Sequence, residues 1–273
     1  MIPKIIHYVW VGTQPKPDLV LKCIQSWKQF CPDYEIVEWG NEALAKIDNV
    51  YVQEAAAEGK WAFVSDYIRL HALYERGGFY CDSDLEVTAS LEPFRDHAFV
   101  TGYEKTLDGK RTRPITALMG SIPKDKIMKS LLSDYEGIQF MNNGVPDMTP
   151  NTDRITRHFK TEFGLTRHHK GEETVHLDAD SVIYPYYFFC TPKPGEPNYS
   201  IHHFNGSWIE PGKRKTLLSL GGWQLLKFTF NEGEDTSTPL RNNEHLVLKA
   251  STWGKRVRTL ALIRWNRAKI GAN

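Results

Sequence analysis

The segment that most restricts the fold is an apolar strand that runs directly into two aspartates, Gly77 to Asp84 (GGFYCDSD). Its apolar residues predict a buried strand, and the spacing of Asp82 and Asp84 puts both carboxylates on one side of an extended chain. Open α/β folds bind ligands at the carboxyl ends of their strands. Two carboxylates there suit Mg²⁺ or Mn²⁺, and such an ion can clamp a diphosphate. A solvated turn is the alternative interpretation of this tripeptide alone.

Predicted strands and helices alternate around this motif. Strands are predicted at 4–11, 34–39 and 79–81, and a helix begins at Asp18 and stops at Pro32. A second helix begins at Ser65 or Asp66 and is ended by the two glycines. The alternation predicts an α/β fold, at least over residues 1–140.

Asp66 and Arg69 lie three residues apart and therefore on one face of the predicted second helix. An ordinary i,i+3 salt bridge would explain the pair. A second interpretation is that they bind sugar hydroxyls, with the carboxylate accepting hydrogen bonds and the guanidinium donating them.

The chain is globular in composition but unevenly charged. Hydrophobic residues make up 41% and charged residues 25% of the 273 residues, values that exclude a disordered or fibrous chain. The formal net charge is +1, yet residues 241–273 contain eight basic residues and one acid, a net +7. Residues 1–240 therefore carry −6. We expect no nucleic-acid partner, because the acidic body would repel a phosphate backbone.

Features of secretion and of membrane spanning are not found. The N-terminal residues lack a signal-peptide pattern, and no run approaches 18 consecutive apolar residues. The cysteines have neither disulfide-framework nor zinc-site spacing, which predicts buried thiols in a reducing compartment. They are Cys23, Cys31, Cys81 and Cys190. We expect a cytoplasmic protein.

Several blocks closely resemble family 32 of the glycosyltransferases, the enzymes with a DXD sugar-binding region. They are Ile2 to Gly12 (IPKIIHYVWVG), Ser65 to Arg69 (SDYIR), Gly77 to Asp84 and the late block Ile201 to Trp208 (IHHFNGSW). The family includes fungal mannosyltransferases and bacterial capsule and lipopolysaccharide enzymes. The large clostridial glucosylating toxins are more distant relatives.

The resemblance implies a GT-A fold, a Rossmann-like mixed sheet flanked by helices. It also implies a nucleotide-sugar donor, a divalent cation (Mn²⁺ or Mg²⁺) and retention of anomeric configuration. We expect a catalytic domain over 1–240, with a donor-binding half to about 122 and an acceptor-side half over 123–240. A helical C-terminal extension would follow at 241–273.

Roles in donor binding follow from the resemblance, position by position. Trp10 would stack on the nucleotide base, with the backbone from Val9 to Gly12 shaping the pocket. Asp66 and Arg69 would hold the hydroxyls of the donor sugar. A buried core aromatic is the alternative interpretation of Trp10.

Metal binding is assigned in the same way. Asp82 would contact the ribose or the sugar and reach the metal, while Asp84 would bind it directly. His203 in the late block is the predicted third ligand, because Mn²⁺ accepts imidazole. The alternatives left open for that position are His202, Asn205 and Ser207.

The late block also supplies Ser207 and Trp208 to the predicted donor site. Trp208 would close over the diphosphate as part of a mobile segment. The predicted catalytic residues are Asp66, Arg69, Asp82 and Asp84. None of them stands out as a covalent nucleophile, so the expected mechanism is front-face substitution with electrostatic catalysis.

The basic tail, 241–273, predicts an amphipathic helix that lies in a membrane interface and is attracted by anionic headgroups. A helix packed on the catalytic domain is the alternative. A peripheral location on the inner face of the cell membrane suits a lipid-linked acceptor.

The expected activity is transfer of a hexose from a nucleotide sugar, UDP in preference, to a growing, lipid-linked surface oligosaccharide. Two alternatives stay open: an effector that glycosylates protein, and an inactive nucleotide-sugar-binding protein. A metal-dependent phosphohydrolase would need further ligands near Asp82. The donor sugar, the acceptor, the linkage and the oligomeric state are not specified by the sequence.

Overall fold

A computed structural model of the chain describes residues 1–105, 112–165 and 171–204, and four strands between residues 214 and 265. The chain divides into two compact units, Met1–Asn205 and Gly206–Asn273.

The first unit holds both the strands and the helices described before residue 205. The strands are β1 Ile5–Val9, β2 Glu35–Trp39, β3 Gly78–Cys81, β4 Leu85–Val87, β5 Phe99–Lys105, β6 Thr112–Ser121, β7 Met141–Asn142, β8 Val145–Pro146, β9 Val175–His176, β10 Ser181–Tyr184 and β11 Ser200–His202. The helices are α1 Asp18–Phe30, α2 Asn41–Leu44, α3 Val50–Ala57, α4 Trp61–Arg76, α5 Lys126–Ser133, α6 Asn151–Phe163 and α7 Tyr186–Phe189, with a short 3₁₀ helix at Glu92–Phe94.

A mixed seven-stranded sheet, in the order β2-β1-β3-β6-β5-β10-β9, organises this unit. The pairs β1–β2, β1–β3 and β5–β10 are parallel, whereas β6 runs antiparallel to both β3 and β5. The carboxyl ends of β1, β3 and β5 therefore point to the same edge of the sheet. The predicted α/β fold with a Rossmann-like mixed sheet and flanking helices is confirmed.

Helices cover both faces of the sheet, as alternate residues of β3 show. Phe79 and Cys81 pack in the cluster that contains Trp27 of α1, and Tyr80 packs in the cluster that contains Ile68 of α4. All of these side chains are almost completely buried. The predicted strand is therefore buried on both faces, and the aspartates that follow it emerge from the core. The four cysteines are free, buried thiols, as predicted.

A glycine, Gly78, allows β3 to lie close beside β1. Gly78 has a φ of +103°, and a Cβ atom there would lie 2.7 Å from the carbonyl oxygen of Ile5. The buried His7 ring ties the same strands together, because its Nε2 bonds the Gly77 carbonyl at 2.8 Å and its Nδ1 accepts from Trp39 Nε1 at 3.1 Å. Burial lowers the pKa of His7 to about 4, so the ring is neutral and structural.

The second unit corrects the predicted helical extension. It contains the antiparallel sheet β12 Arg214–Leu220, β13 Trp223–Asn231, β14 Asn242–Ala250 and β15 Arg258–Trp265. The helix predicted within 241–273 is therefore wrong over β14 and β15. Leucines at 246 and 248, and again at 260 and 262, recur every second residue, which is the period of a strand. β13 and β14, on either side of the predicted boundary at residue 240, pair along their length.

Replacing Gly78 with alanine should destabilise the first unit. We expect Gly78→Ala to lower the free energy of unfolding by about 2–3 kcal/mol, because a positive φ strains an L residue and the new methyl group meets backbone. Gly137→Ala is the matched control: its φ is +72°, but a Cβ atom there would have no neighbour within 4 Å. It should cost about 1 kcal/mol. Urea denaturation followed by circular dichroism measures both, and equal losses would contradict the packing argument.

Candidate functional site

A buried arginine lies at the centre of the site. Arg69 and Asp66, on α4, are 4% and 8% exposed. Arg69 Nη2 lies 2.9 Å from Asp66 Oδ1, and Nη1 lies 3.2 Å from Asp82 Oδ1. One guanidinium thus joins the helix to the first aspartate of the strand-end motif. Asp66 and Arg69, which helical spacing places on one face of the helix, form an ion pair, and Asp82 forms a second ion pair with the same arginine.

Tyr80 supports this ion-pair group from the sheet. The guanidinium carbon of Arg69 lies 4.7 Å from the centre of the Tyr80 ring, in cation–π geometry. The Tyr80 hydroxyl donates a hydrogen bond to Asp82 Oδ1 at 2.9 Å. Asp82 is therefore oriented by both partners before any ligand arrives. The sequence pattern indicated only that Tyr80 belongs to a buried strand.

Asp66 has an unusual electrostatic environment. Burial raises the pKa of Asp66 to about 6, although the charge of Arg69 opposes the shift, and the nearby Asp82 carboxylate adds to it. The Asn151 amide, at the start of α6, donates to the Asp66 carbonyl oxygen at 3.4 Å. Near pH 6 this carboxyl group beside a fixed cation can both accept and donate hydrogen bonds, and at higher pH it accepts them.

The second aspartate meets the late block through a strand pairing. The chain turns after β3, with the Leu85 amide donating to the Asp82 carbonyl at 2.9 Å, and continues as β4. β11 pairs antiparallel with β4, placing His202 opposite Leu85. His202 Nε2 then lies 3.5 Å from Asp84 Oδ1.

This register determines which histidine lies beside Asp84. His203, the predicted metal ligand, turns to the other side of the strand, where its Nε2 lies 2.9 Å from Glu86 Oε2. His202, one of the alternatives left open, takes the place beside Asp84. Adjacent residues of a strand point to opposite faces, so a difference of one residue exchanges the two rings.

Asp82, Asp84 and His202 form a group that could hold a divalent metal. Their ligand atoms all lie within 4.8 Å of one another. Two carboxylates and an imidazole are a ligand set that Mn²⁺ accepts, whereas Mg²⁺ prefers oxygen ligands alone. Burial disfavours a charged His202 ring, yet the Asp84 carboxylate raises its pKa well above the ordinary value. The environment thus attracts positive charge to this point.

Helix α1 holds β4 in place. The buried Trp27 donates from Nε1 to the Leu85 carbonyl at 2.8 Å, and the Val87 amide donates to Ser26 Oγ at 3.0 Å. Both contacts join residues far apart in the chain, so no local sequence motif predicts them. They fix the strand that follows Asp84.

The residues predicted to surround the nucleotide base lie at the end of β1. Trp10 is half-buried, and its Nε1 donates to the Gln14 carbonyl at 3.0 Å. Gly12 exchanges two hydrogen bonds with the Asn41 side chain, at 2.9 and 3.0 Å. A Cβ on Gly12 would lie 3.2 Å from the Trp61 ring. Asn41 and Trp61 were missed from sequence, because α2 and the start of α4 reach this loop only in the folded chain.

Some predicted residues cannot be placed. Asn205, Ser207 and Trp208 lie outside the described residues. So do Arg111, Arg167, His168 and His169.

Comparison with known proteins finds a family match in the first part of the chain. Residues 17–101, which contain Asp66, Arg69, Asp82 and Asp84, match the sequence model of the family described as "Glycosyltransferase sugar-binding region containing DXD motif". Over these residues the chain is similar to that sugar-binding region. The predicted enzyme class, glycosyltransferase, is confirmed for this domain.

Two curated relatives share this region. The chain is 27% identical over 125 residues to "Subversion of eukaryotic traffic protein A" of Legionella pneumophila, covering 36% of this chain and 19% of the relative. It is 29% identical over 103 residues to "Inositol phosphoceramide mannosyltransferase 3" of Schizosaccharomyces pombe, covering 34% of this chain and 27% of the relative. The chain thus spans about a fifth to a quarter of the length of these relatives.

Solved structures show partial similarity. "PaToxG Glycosyltransferase" is 19% identical, with a TM-score of 0.44 over 60% of this chain and 70% of that chain. The apo-form glycosyltransferase GlyE of Streptococcus pneumoniae is 14% identical, with a TM-score of 0.35 over 58% of this chain and 43% of that chain.

Within the part of the chain that the structure describes, none of the helices is both long enough and apolar enough to cross a bilayer.

The raised pKa of Asp66 predicts a pH dependence in the metal-free protein. The folded state retains a proton between pH 4 and 6 that the unfolded state has lost. The contribution of this group to stability is therefore full below its ordinary pKa of 3.8 and is lost as the pH rises through about 6. Carboxyl ¹³C shifts, assigned with Asp66→Asn, should titrate near 6. Glu86, whose pKa its hydrogen bond to His203 lowers to about 2, is the control and should not titrate there. A midpoint for Asp66 near 4 would contradict the burial argument.

Proposed function

We propose that this protein is a retaining, metal-dependent glycosyltransferase that moves a hexose from a nucleotide sugar to a hydroxyl acceptor. The observation that carries the proposal is the Asp82–Asp84–His202 group directly beside the buried Asp66–Arg69 pair. Both lie where β3 ends, the position at which α/β sheets bind ligands. A group that could bind a diphosphate through a metal ion and a pair that could bind sugar hydroxyls therefore lie side by side.

We assign the metal to Asp82, Asp84 and His202, with Mn²⁺ favoured because imidazole is part of the set. The bound ion supplies positive charge for the diphosphate leaving group.

The chain's own residues supply the remaining electrostatics. Arg69 presents a cation whose position is set by Asp66, Asp82 and the Tyr80 ring. A preorganised charge of this kind stabilises developing negative charge without reorganising during the reaction. Asp66 accepts hydrogen bonds from the donor sugar, and Trp10 supports the base, for which uracil is our preferred candidate.

We favour front-face substitution over a covalent glycosyl intermediate. Asp66 and Asp82 are each paired with Arg69, which lowers their nucleophilicity, and Asp84 is assigned to the metal. In a front-face reaction the acceptor hydroxyl attacks from the side of the departing diphosphate, so configuration is retained.

Our preferred acceptor is a lipid-linked oligosaccharide. We also propose that the protein belongs to family 32 of the glycosyltransferases and acts in surface polysaccharide assembly. The mannosyltransferase relative, named for inositol phosphoceramide, supports a lipid-attached acceptor. The Legionella relative, named for subversion of eukaryotic traffic, favours a second candidate, an effector that modifies host molecules.

Replacing the metal-binding aspartate should separate chemistry from folding. We expect Asp84→Asn to reduce Mn²⁺-dependent turnover at least about 100-fold, because the ion loses its charged ligand. The assay screens UDP- and GDP-sugars with Mn²⁺, scoring donor hydrolysis first and then transfer to lipid-linked acceptors. His203→Ala is the control and should keep most of the activity. Wild-type turnover by Asp84→Asn would refute the assignment.

We also propose that the +7 segment 241–273 attaches the protein to anionic membrane surfaces. Each basic residue near such a surface contributes about 1 kcal/mol, so removing four should cost about 4 kcal/mol and weaken vesicle binding by up to about 1,000-fold. The full-length variant carries Lys255→Gln, Arg256→Gln, Arg267→Gln and Lys269→Gln. Co-sedimentation with phosphatidylserine-containing vesicles measures the change, and neutral vesicles are the control. Equal binding by wild type and variant would refute membrane attachment through the tail.

A further inference from the structure

A buried carboxylate lies beyond the metal-binding group. Glu104, near the carboxyl end of β5, is 5% exposed. Its Oε1 accepts from Arg113 Nε at 2.8 Å. Arg113 also forms an ion pair with Asp153, at the start of α6, with 3.0 Å between Nη1 and Oδ1. None of these residues belongs to the motifs that identify the donor site.

The His202 ring lies between this carboxylate and Asp84. Its Nε2 is 3.5 Å from Asp84 Oδ1, and its Nδ1 is 4.0 Å from Glu104 Oε2. Nδ1 is buried and has no hydrogen-bond partner. The two ring nitrogens thus have different surroundings. Nε2 lies beside the candidate metal ligand Asp84, whereas Nδ1 faces the Glu104 carboxylate.

A buried nitrogen without a partner is costly, so the ring needs an acceptor on this side. A histidine that binds a metal through one nitrogen usually donates its other N–H to a carboxylate or carbonyl. That bond selects the tautomer and fixes the orientation of the ring. The separation of 4.0 Å between Nδ1 and Glu104 Oε2 is longer than a hydrogen bond, so the bond requires the two side chains to approach each other.

We propose that Glu104 is a positioning residue that orients His202 for the metal, an inference that rests on the metal site of the proposed function. Nδ1–H donates to Glu104 Oε2, which leaves Nε2 unprotonated and directed to the ion shared with Asp84. Arg113 neutralises Glu104 and holds its other oxygen. Through Asp153, the same arginine connects the metal group to α6.

The environment favours Glu104 over the other candidate partner of the ring. The buried Cys190 thiol also faces His202, and burial raises its pKa, so it is a neutral and weak acceptor. The Arg113 ion pair in turn makes Glu104 unsuitable as a nucleophile or base. Its role is to act through His202.

Mn²⁺ binding, measured by electron paramagnetic resonance on the full-length protein with Mn²⁺ alone, tests the proposal without an activity assay. We expect Glu104→Ala to raise the dissociation constant about 10- to 100-fold, the usual effect of losing the partner of a metal-bound histidine. Glu104→Gln keeps an acceptor oxygen and the side-chain volume, so it should recover part of the affinity. Circular dichroism and thermal unfolding check that each variant is folded.

A double-mutant cycle separates positioning from a structural effect. If Glu104 acts through His202, then Glu104→Ala should cause no further loss of Mn²⁺ affinity in a His202→Ala background. Glu86→Ala is the matched control, since it removes the carboxylate that bonds the neighbouring His203. It should leave Mn²⁺ affinity within about twofold of wild type, the resolution of this difference measurement.

Each outcome has a distinct meaning. Wild-type affinity in Glu104→Ala, or an undiminished loss in the His202→Ala background, overturns the positioning role while leaving the metal site intact. Absence of Mn²⁺ binding by the wild-type protein, or wild-type affinity in His202→Ala, overturns the metal assignment and the positioning role together.

Discussion

The arrangement of the site depends on the buried guanidinium of Arg69. A charge taken out of water is tolerated only where opposite charges and hydrogen bonds compensate for lost hydration. Asp66, Asp82 and the Tyr80 ring provide that compensation from a helix and from the strand beside it. The two aspartates depend on the arginine in turn, because its charge neutralises two carboxylates that would otherwise repel each other. Helix α4 and β3 are thus held in one relative position by the groups that we assign to the donor.

A second constraint is topological. The carboxyl ends of β1 and β3 lie at the same edge of the sheet, with the base-side residues and the first aspartate, but that edge alone does not place a histidine beside Asp84. The return of β11 along β4 provides it. Trp27 and Ser26 secure β4 from the helix side, so the position of His202 depends on α1 as well as on the sheet. The site is built from four separate stretches of chain.

How far the sequence could predict this site depended on whether the information was local. The strand-end aspartates and the Asp66–Arg69 spacing are local patterns, and the structure brings these residues together. The choice between His202 and His203 depended on strand register, which is set by pairing with a distant segment. Asn41, Trp61 and Glu104 reach the site through folding alone. In the C-terminal segment, basic and apolar residues suggested an amphipathic helix, but the alternation of its leucines fits the strands that form there.

The pairing of β11 with β4 has a consequence for how the protein is made. The two aspartates leave the ribosome early, whereas the histidine follows more than 100 residues later. Closing so long a loop costs conformational entropy that only the assembled sheet repays. Before β11 is added, the chain offers only the two carboxylates of the proposed metal group. On that assignment, a site that selects a nitrogen-accepting metal would exist only after the last described strand of the first unit has paired with β4, so metal loading would follow folding of that unit.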